Sequence, residues 1–109
     1  CSKDMKHFIA THTCFSEEAR RAFIDNTKTL THTEMIEGTK SDKAKLLAHW
    51  MGKDDFFFCH WLADSEEAIH EVLEVQGIAD IIVTNANEMA RFVSSSDLKD
   101  EPVGDPDDP

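Results

Sequence analysis

HWMGKDDFFFCHW (His49–Trp61) sets one dipeptide, His-Trp, on either side of a Gly-Lys-Asp-Asp turn, and its reading decides the fold. The flanking runs KAKLLAHWM and FFFCHWLA are short, apolar and aromatic-rich, as expected of two strands joined in a hairpin. Strand side chains alternate between faces, so parity sorts each run into two sets. The purely apolar sets are Ala44, Leu46, Ala48 and Trp50 in the first run, and Phe57, Cys59, Trp61 and Ala63 in the second. A two-residue loop at Lys53-Asp54 pairs Met51 with Phe56 and His49 with Phe58, always one even residue with one odd. Turn length and hydrophobic pattern therefore agree. This register predicts Trp50 and Trp61 on the core face, with His49 and His60 as diagonal neighbours on the other, about 7–8 Å apart. A slip of one residue would separate the two histidines.

Working outward, MKHFIATHT (Met5–Thr13) reads as a first strand. SEEARRAFIDNTKTL follows as a helix, with Ser16 as N-cap, Glu17 and Glu18 favourably placed at the positive end of the helix dipole, and Ala19, Ala22, Phe23 and Leu30 as its apolar stripe. THTE (Thr31–Glu34) fits a capping box opening a short helix that Gly38 can end. After the hairpin, SEEAIHEVLEVQG is a helix capped by Ser65 and stopped by Gly77, and ADIIVTNANEMARFV supplies a last strand, interrupted near Asn85–Asn87. The order β-α-β-β-α-β is the α+β, ferredoxin-like split motif: a four-stranded antiparallel sheet with helices on one face and the other face open.

On that open face the register gathers His49 and His60 with Leu47, Met51, Phe56, Phe58 and Leu62. Such a surface is too apolar to leave wet, so a second copy is expected to cover it, enclosing a small pocket. Neutral imidazoles bind Ni, Zn and Cu, which makes His49 and His60 candidate metal ligands. The third ligand is His7, whose parity opposes the core-like Phe8 and Ala10; a bulge would admit His12 instead. Leu47, Met51, Phe56 and Phe58 are the candidate ligand-binding residues. His32 and His70 lie on polar helix surfaces and read as solvated.

Composition bounds the remaining possibilities. The 109 residues make one domain over 5–93, followed by an acidic tail over 94–109 that is expected to be disordered. That tail carries six acids against Lys99 and supplies −5 of the formal charge of −11. So acidic a chain is not expected to bind nucleic acid, and no apolar run suits a transmembrane helix. Cys1, Cys14 and Cys59 have neither disulfide-framework nor zinc-knuckle spacing. A cytoplasmic, soluble protein is expected; lipid anchoring through Cys1 is the alternative. No phosphate loop, HExxH, GxSxG or Walker motif is present.

The stretch FFFCHWLADSEEAIHEVLEVQGIADII resembles a signature of a family of small ferredoxin-like proteins with a nickel-binding member. The resemblance rests on Phe58, Cys59, Trp61, Ala63, Ser65-Glu66-Glu67 and Gly77, and implies a dimeric α/β barrel; Thr11 and Leu62 depart from the family's charged positions. Three readings follow. The first is a homodimer binding a divalent transition metal or a small ligand in the His/Phe/Met-lined pocket. The second is a cofactor-independent monooxygenase- or isomerase-like enzyme using a pocket histidine as base. In the third, the apolar patch serves dimer packing alone.

Overall fold

The computed structural model describes residues 5–107. The elements run β1 (Lys6–Cys14), α1 (Glu17–Thr27), α2 (His32–Gly38), β2 (Ala44–Met51), β3 (Phe56–Ala63), α3 (Glu66–Val75) and β4 (Ile82–Glu88). The strands form one sheet in the order β2-β3-β1-β4 with every neighbouring pair antiparallel, which is the ferredoxin-like fold. β4 is continuous through Asn85–Asn87, so the expected interruption does not occur. From Met89 to Asp107 there is no helix or strand, only an isolated bridge between Ser94 and Asp97. Cys1 lies outside the described residues. Among those described, no helix is long and apolar enough to cross a membrane.

Local chemistry sets the helix ends. Ser16 and Ser65 accept hydrogen bonds from Ala19 N and Ala68 N at 3.1 and 3.2 Å, satisfying donors that a helix start would otherwise orphan. Thr31 and Glu34 close the full capping box of α2. α3 ends in a Schellman motif: Ile78 N donates to Leu73 O and Gly77 N to Glu74 O. Gly77 takes φ +77°, a left-handed conformation that costs glycine little.

The core lies between the helices and one face of the sheet. α1 contributes Ala19 and Phe23, and α3 contributes Ala68, Ile69, Val72 and Leu73. These meet Phe8 and Ala10 of β1, Ala44 and Leu46 of β2, Phe57, Cys59, Trp61 and Ala63 of β3, and Ile82 and Ala86 of β4. The parity sets anticipated for β1 and β3 are the ones observed.

β2 departs from its expected register. Next to the hairpin, Met51 pairs with Phe57, Trp50 with Phe58 and His49 with Cys59, one step away from the sequence reading. Beyond a bulge at Leu47 the expected pairing returns, with Leu46 opposite Trp61 and Ala44 opposite Ala63. The turn explains the shift. Gly52 N donates to Phe56 O, and a Cβ on Gly52 would lie 2.9 Å from that oxygen, so this tighter crossing needs glycine. The turn's carbonyls are also claimed from outside: Arg20 bonds Gly52 O and Asp54 O, and Cys14 N donates to Asp55 O. These tertiary contacts favour the longer loop, and the extra residue at Leu47 restores the pattern below it.

Deleting Leu47 removes the unpaired residue while leaving Leu46–Trp61 and Ala48–His60 as consecutive pairs of a regular ladder. The variant is expected to stay folded, with Tm within about 8 °C of the parent, corresponding to roughly 1 kcal/mol. Thermal unfolding checks this; loss of the cooperative transition would show that the bulge itself holds β2 in place.

Candidate functional site

The shifted register divides the histidines between the two faces of the sheet. His7 and His60 meet on the open face, as expected, with His7 Nδ1 2.9 Å from His60 Nε2. Their ring centroids are 5.1 Å apart, nearly all of it accounted for by that contact plus each nitrogen's distance from its own ring centre. The rings therefore meet end-on, one donating its N–H to the other's lone pair. Burial, then the neighbouring His7, holds His60 below the usual histidine range. Phe92, from the segment after β4, stands 6.1 Å from His60.

His49 is not part of this group. The register carries it to the helix-covered face, where its Nδ1 lies 3.5 Å from Cys59 Sγ. Trp50 makes the opposite move: expected in the core, it is 57% exposed on the open face. Met51 also changes faces and is half-buried against the core, while Leu47 is the exposed bulge residue. Of the four candidate ligand-binding residues, Phe56 and Phe58 keep their expected face, with ring centroids 5.4 Å apart. The open face thus gathers His7, His60, Phe56 and Phe58, and loses His49 and Met51.

The open-face donors do not match a nickel, zinc or copper ion within one chain. One of the two imidazole lone pairs that would bind it already accepts the other ring's N–H. No group of three or more His, Cys, Asp or Glu that could hold a metal occurs among the described residues.

The richer chemistry is on the covered face. His12, expected at most as an alternative open-face ligand, is 0% exposed, and its Nδ1 bonds Thr84 Oγ1 at 2.8 Å. Its ring stacks on Phe57 at 4.6 Å, and Phe23 stacks on the same phenyl at 4.5 Å. His49 meets the edge of Phe57 at 5.4 Å. Burial, reinforced by His49 and His70, lowers the His12 pKa to about 4, and burial lowers that of His49. Burial also pushes the Cys59 thiol up to about 12, so it stays protonated.

These residues surround a cavity of about 420 Å³ between the sheet and the three helices. His12, His49, Cys59 and Trp61 line it from the strands, Phe23 and Leu30 from the α1 side, Met35 from α2, and Leu73 and Ile78 from α3 and its end. Two ring nitrogens among these lining residues have no hydrogen-bond partner: His12 Nε2 and Trp61 Nε1. Trp61 is only 1% exposed. Sequence parity could have found His12, which alternates in step with Phe8 and Ala10; nothing in the sequence pointed to the partner Thr84 across the β1–β4 pair.

A larger depression of about 620 Å³ lies at the start of α1 beside the hairpin turn. It is an open rim of Glu17, Glu18, Arg21, Lys53, Asp54 and Asp55, and its Arg20 is engaged by turn carbonyls. Its role is to hold the turn. His70 pairs with Glu66 at 3.3 Å on an exposed helix surface, in keeping with a solvated residue.

No family model matches this chain, and no curated protein matches its sequence. Among solved structures, it is similar to a dimeric ferredoxin-like protein from an uncultured marine organism. That similarity has 11% identity and a TM-score of 0.46, and covers 87% of this chain and 97% of the other.

Proposed function

We propose that the protein is a homodimeric small-molecule-binding protein whose ligand occupies the cavity between the sheet and the helices. The observation that carries this reading is the cavity of about 420 Å³ itself, walled by Phe23, Leu30, Met35, Leu46 and Leu73 with His49 among the lining residues. Aromatic and aliphatic walls with a few polar groups are the usual character of an organic-ligand site.

The homodimer follows from the composition of the open face. Its strand residues are His7, Ile9, Thr11 and Thr13 of β1; Lys45, Ala48 and Trp50 of β2; Phe56, Phe58, His60 and Leu62 of β3; and Val83, Asn85 and Asn87 of β4. Lys45 is the one charged side chain among them, on a chain of formal charge −11. Two copies of so acidic a protein repel one another wherever carboxylates meet, and this carboxylate-free apolar face is where they can approach.

Two measurements test the reading together. Calorimetry with 2-naphthol, an uncharged bicyclic probe, should give saturable binding of one molecule per chain. That binding should weaken at least about tenfold in Cys59→Met, which extends the cavity floor, and in Gly38→Leu, where an added Cβ meets no atom within 4 Å. Sedimentation should give twice the 12.3 kDa chain mass for the parent and the single mass for Phe58→Asp. Absence of saturable binding in the parent removes the ligand site, and a monomeric parent removes the dimer.

A further inference from the structure

We propose that the cavity takes an amphiphilic amine, its apolar body between sheet and helices and its ammonium group at the opening beside Glu34. The inference rests on the ligand-binding reading above and specifies the chemical class of the ligand.

Exposure sorts the residues that line the cavity. Leu46, Phe57, Cys59, Trp61 and Leu73 are buried, and all are apolar or aromatic. The exposed lining residues are Asn26 of α1, Leu30 after it, Glu34 and Gly38 of α2, and Gln76 just past α3. Water therefore reaches the cavity at the ends of α1 and α3 and along α2, where amide and carboxylate groups stand. An apolar ligand body gains from the buried walls, and a charged group that stays at this opening keeps its hydration.

The charges at the opening favour one sign. Among the described residues no Lys or Arg lines the cavity, and Glu34 is its one acidic residue. Burial holds His12 and His49 below the usual histidine range, so neither brings a positive charge at neutral pH. The lysines nearest in sequence are paired with acids a turn away: Lys28 with Asp25 at 3.2 Å and Lys40 with Glu37 at 3.1 Å. Glu34 Oε1 accepts from Thr31 N in the α2 cap, which leaves Oε2 to accept from a ligand. An ammonium group has donors and no acceptor, so it suits that carboxylate. A ligand carboxylate would meet Glu34 and no cation, on a chain whose formal charge is −11.

Calorimetry on the full chain at pH 7.5 separates this inference from the reading on which it rests. Salt at about 0.15 M screens distant charges, so the comparison reports groups near the ligand. Three probes share one naphthalene body: cationic 2-naphthylmethylamine, neutral 2-naphthalenemethanol and anionic 2-naphthoate. The parent should bind the amine at least about threefold more tightly than the alcohol, and the alcohol more tightly than the naphthoate. Glu34→Gln should bring the amine to the affinity of the alcohol and leave the alcohol unchanged. Glutamine also serves at this position of a capping box, so the variant keeps the start of α2. Glu74→Gln makes the same charge change on α3, outside the cavity lining, and should leave the amine's advantage intact. An amine no tighter than the alcohol in the parent overturns the inference while leaving the ligand site in place. So does an advantage that survives in Glu34→Gln or is lost in Glu74→Gln, or naphthoate binding as tight as the amine's. If none of the three probes binds the parent, the cavity is not a ligand site and both conclusions fall. The order of the three probes is read in the parent alone, so the inference stays testable even if a variant does not fold.

Discussion

Phe57→Ala is expected to lower the unfolding free energy by about 4 kcal/mol, a large share of the roughly 5–15 kcal/mol that holds a domain of this size together. Phe57 is 2% exposed and stacks on both Phe23 and His12, with His49 against its edge. It therefore joins α1 to β1, β2 and β3 through a single ring. Truncation removes that contact and opens new volume beside an existing cavity, leaving few neighbours able to collapse inward. Phe58, next in sequence, is 38% exposed on the opposite face. In the monomeric Phe58→Asp background, Phe57→Ala should still cost about 4 kcal/mol, because its contacts lie within one chain. Urea unfolding followed by circular dichroism measures both; a cost below about 1 kcal/mol in either background would show that the aromatic stack does not organise the core.

The extent to which this architecture was legible depends on how local its determinants are. Ser16, Ser65, the Thr31–Glu34 box and Gly77 act within one helix turn, and each behaves as its residue type requires. The alternation of β1 and β3 is equally plain, because both strands bury one face completely. The register of β2 against β3 is set elsewhere. Arg20 on α1 and the backbone of Cys14 at the end of β1 hold the hairpin turn, and neither is near it in sequence. The Leu47 bulge absorbs the resulting shift, so the far half of the strand still obeys the expected pattern. The consequence falls on four residues. Ala48, His49, Trp50 and Met51 exchange faces, and a site drawn around His49 and His60 separates into His7–His60 outside and His12–His49 inside. Parity is a strong guide to what shares a face within one strand; between strands it is only as good as the turn.

Acid should destabilise the protein well before its carboxylates titrate, and His12 is the reason. Its pKa is about 4 in the folded state against 6.5 for an unperturbed histidine, because a charged imidazole at 0% exposure would forgo its hydration. As pH falls below 6.5 the unfolded chain takes up a proton that the folded chain refuses, so unfolding becomes progressively easier. The contribution is present in full above pH 6.5 and is lost as pH falls through about 4. Its ceiling is about 3 kcal/mol, of which about 2 kcal/mol should be lost between pH 7 and pH 4.5. His49, shifted in the same direction by burial, steepens the same window. Urea unfolding at pH 7 and pH 4.5 measures the loss, and His12→Phe should remove most of it by taking away the proton acceptor. An equal loss in that variant would place the acid sensitivity elsewhere.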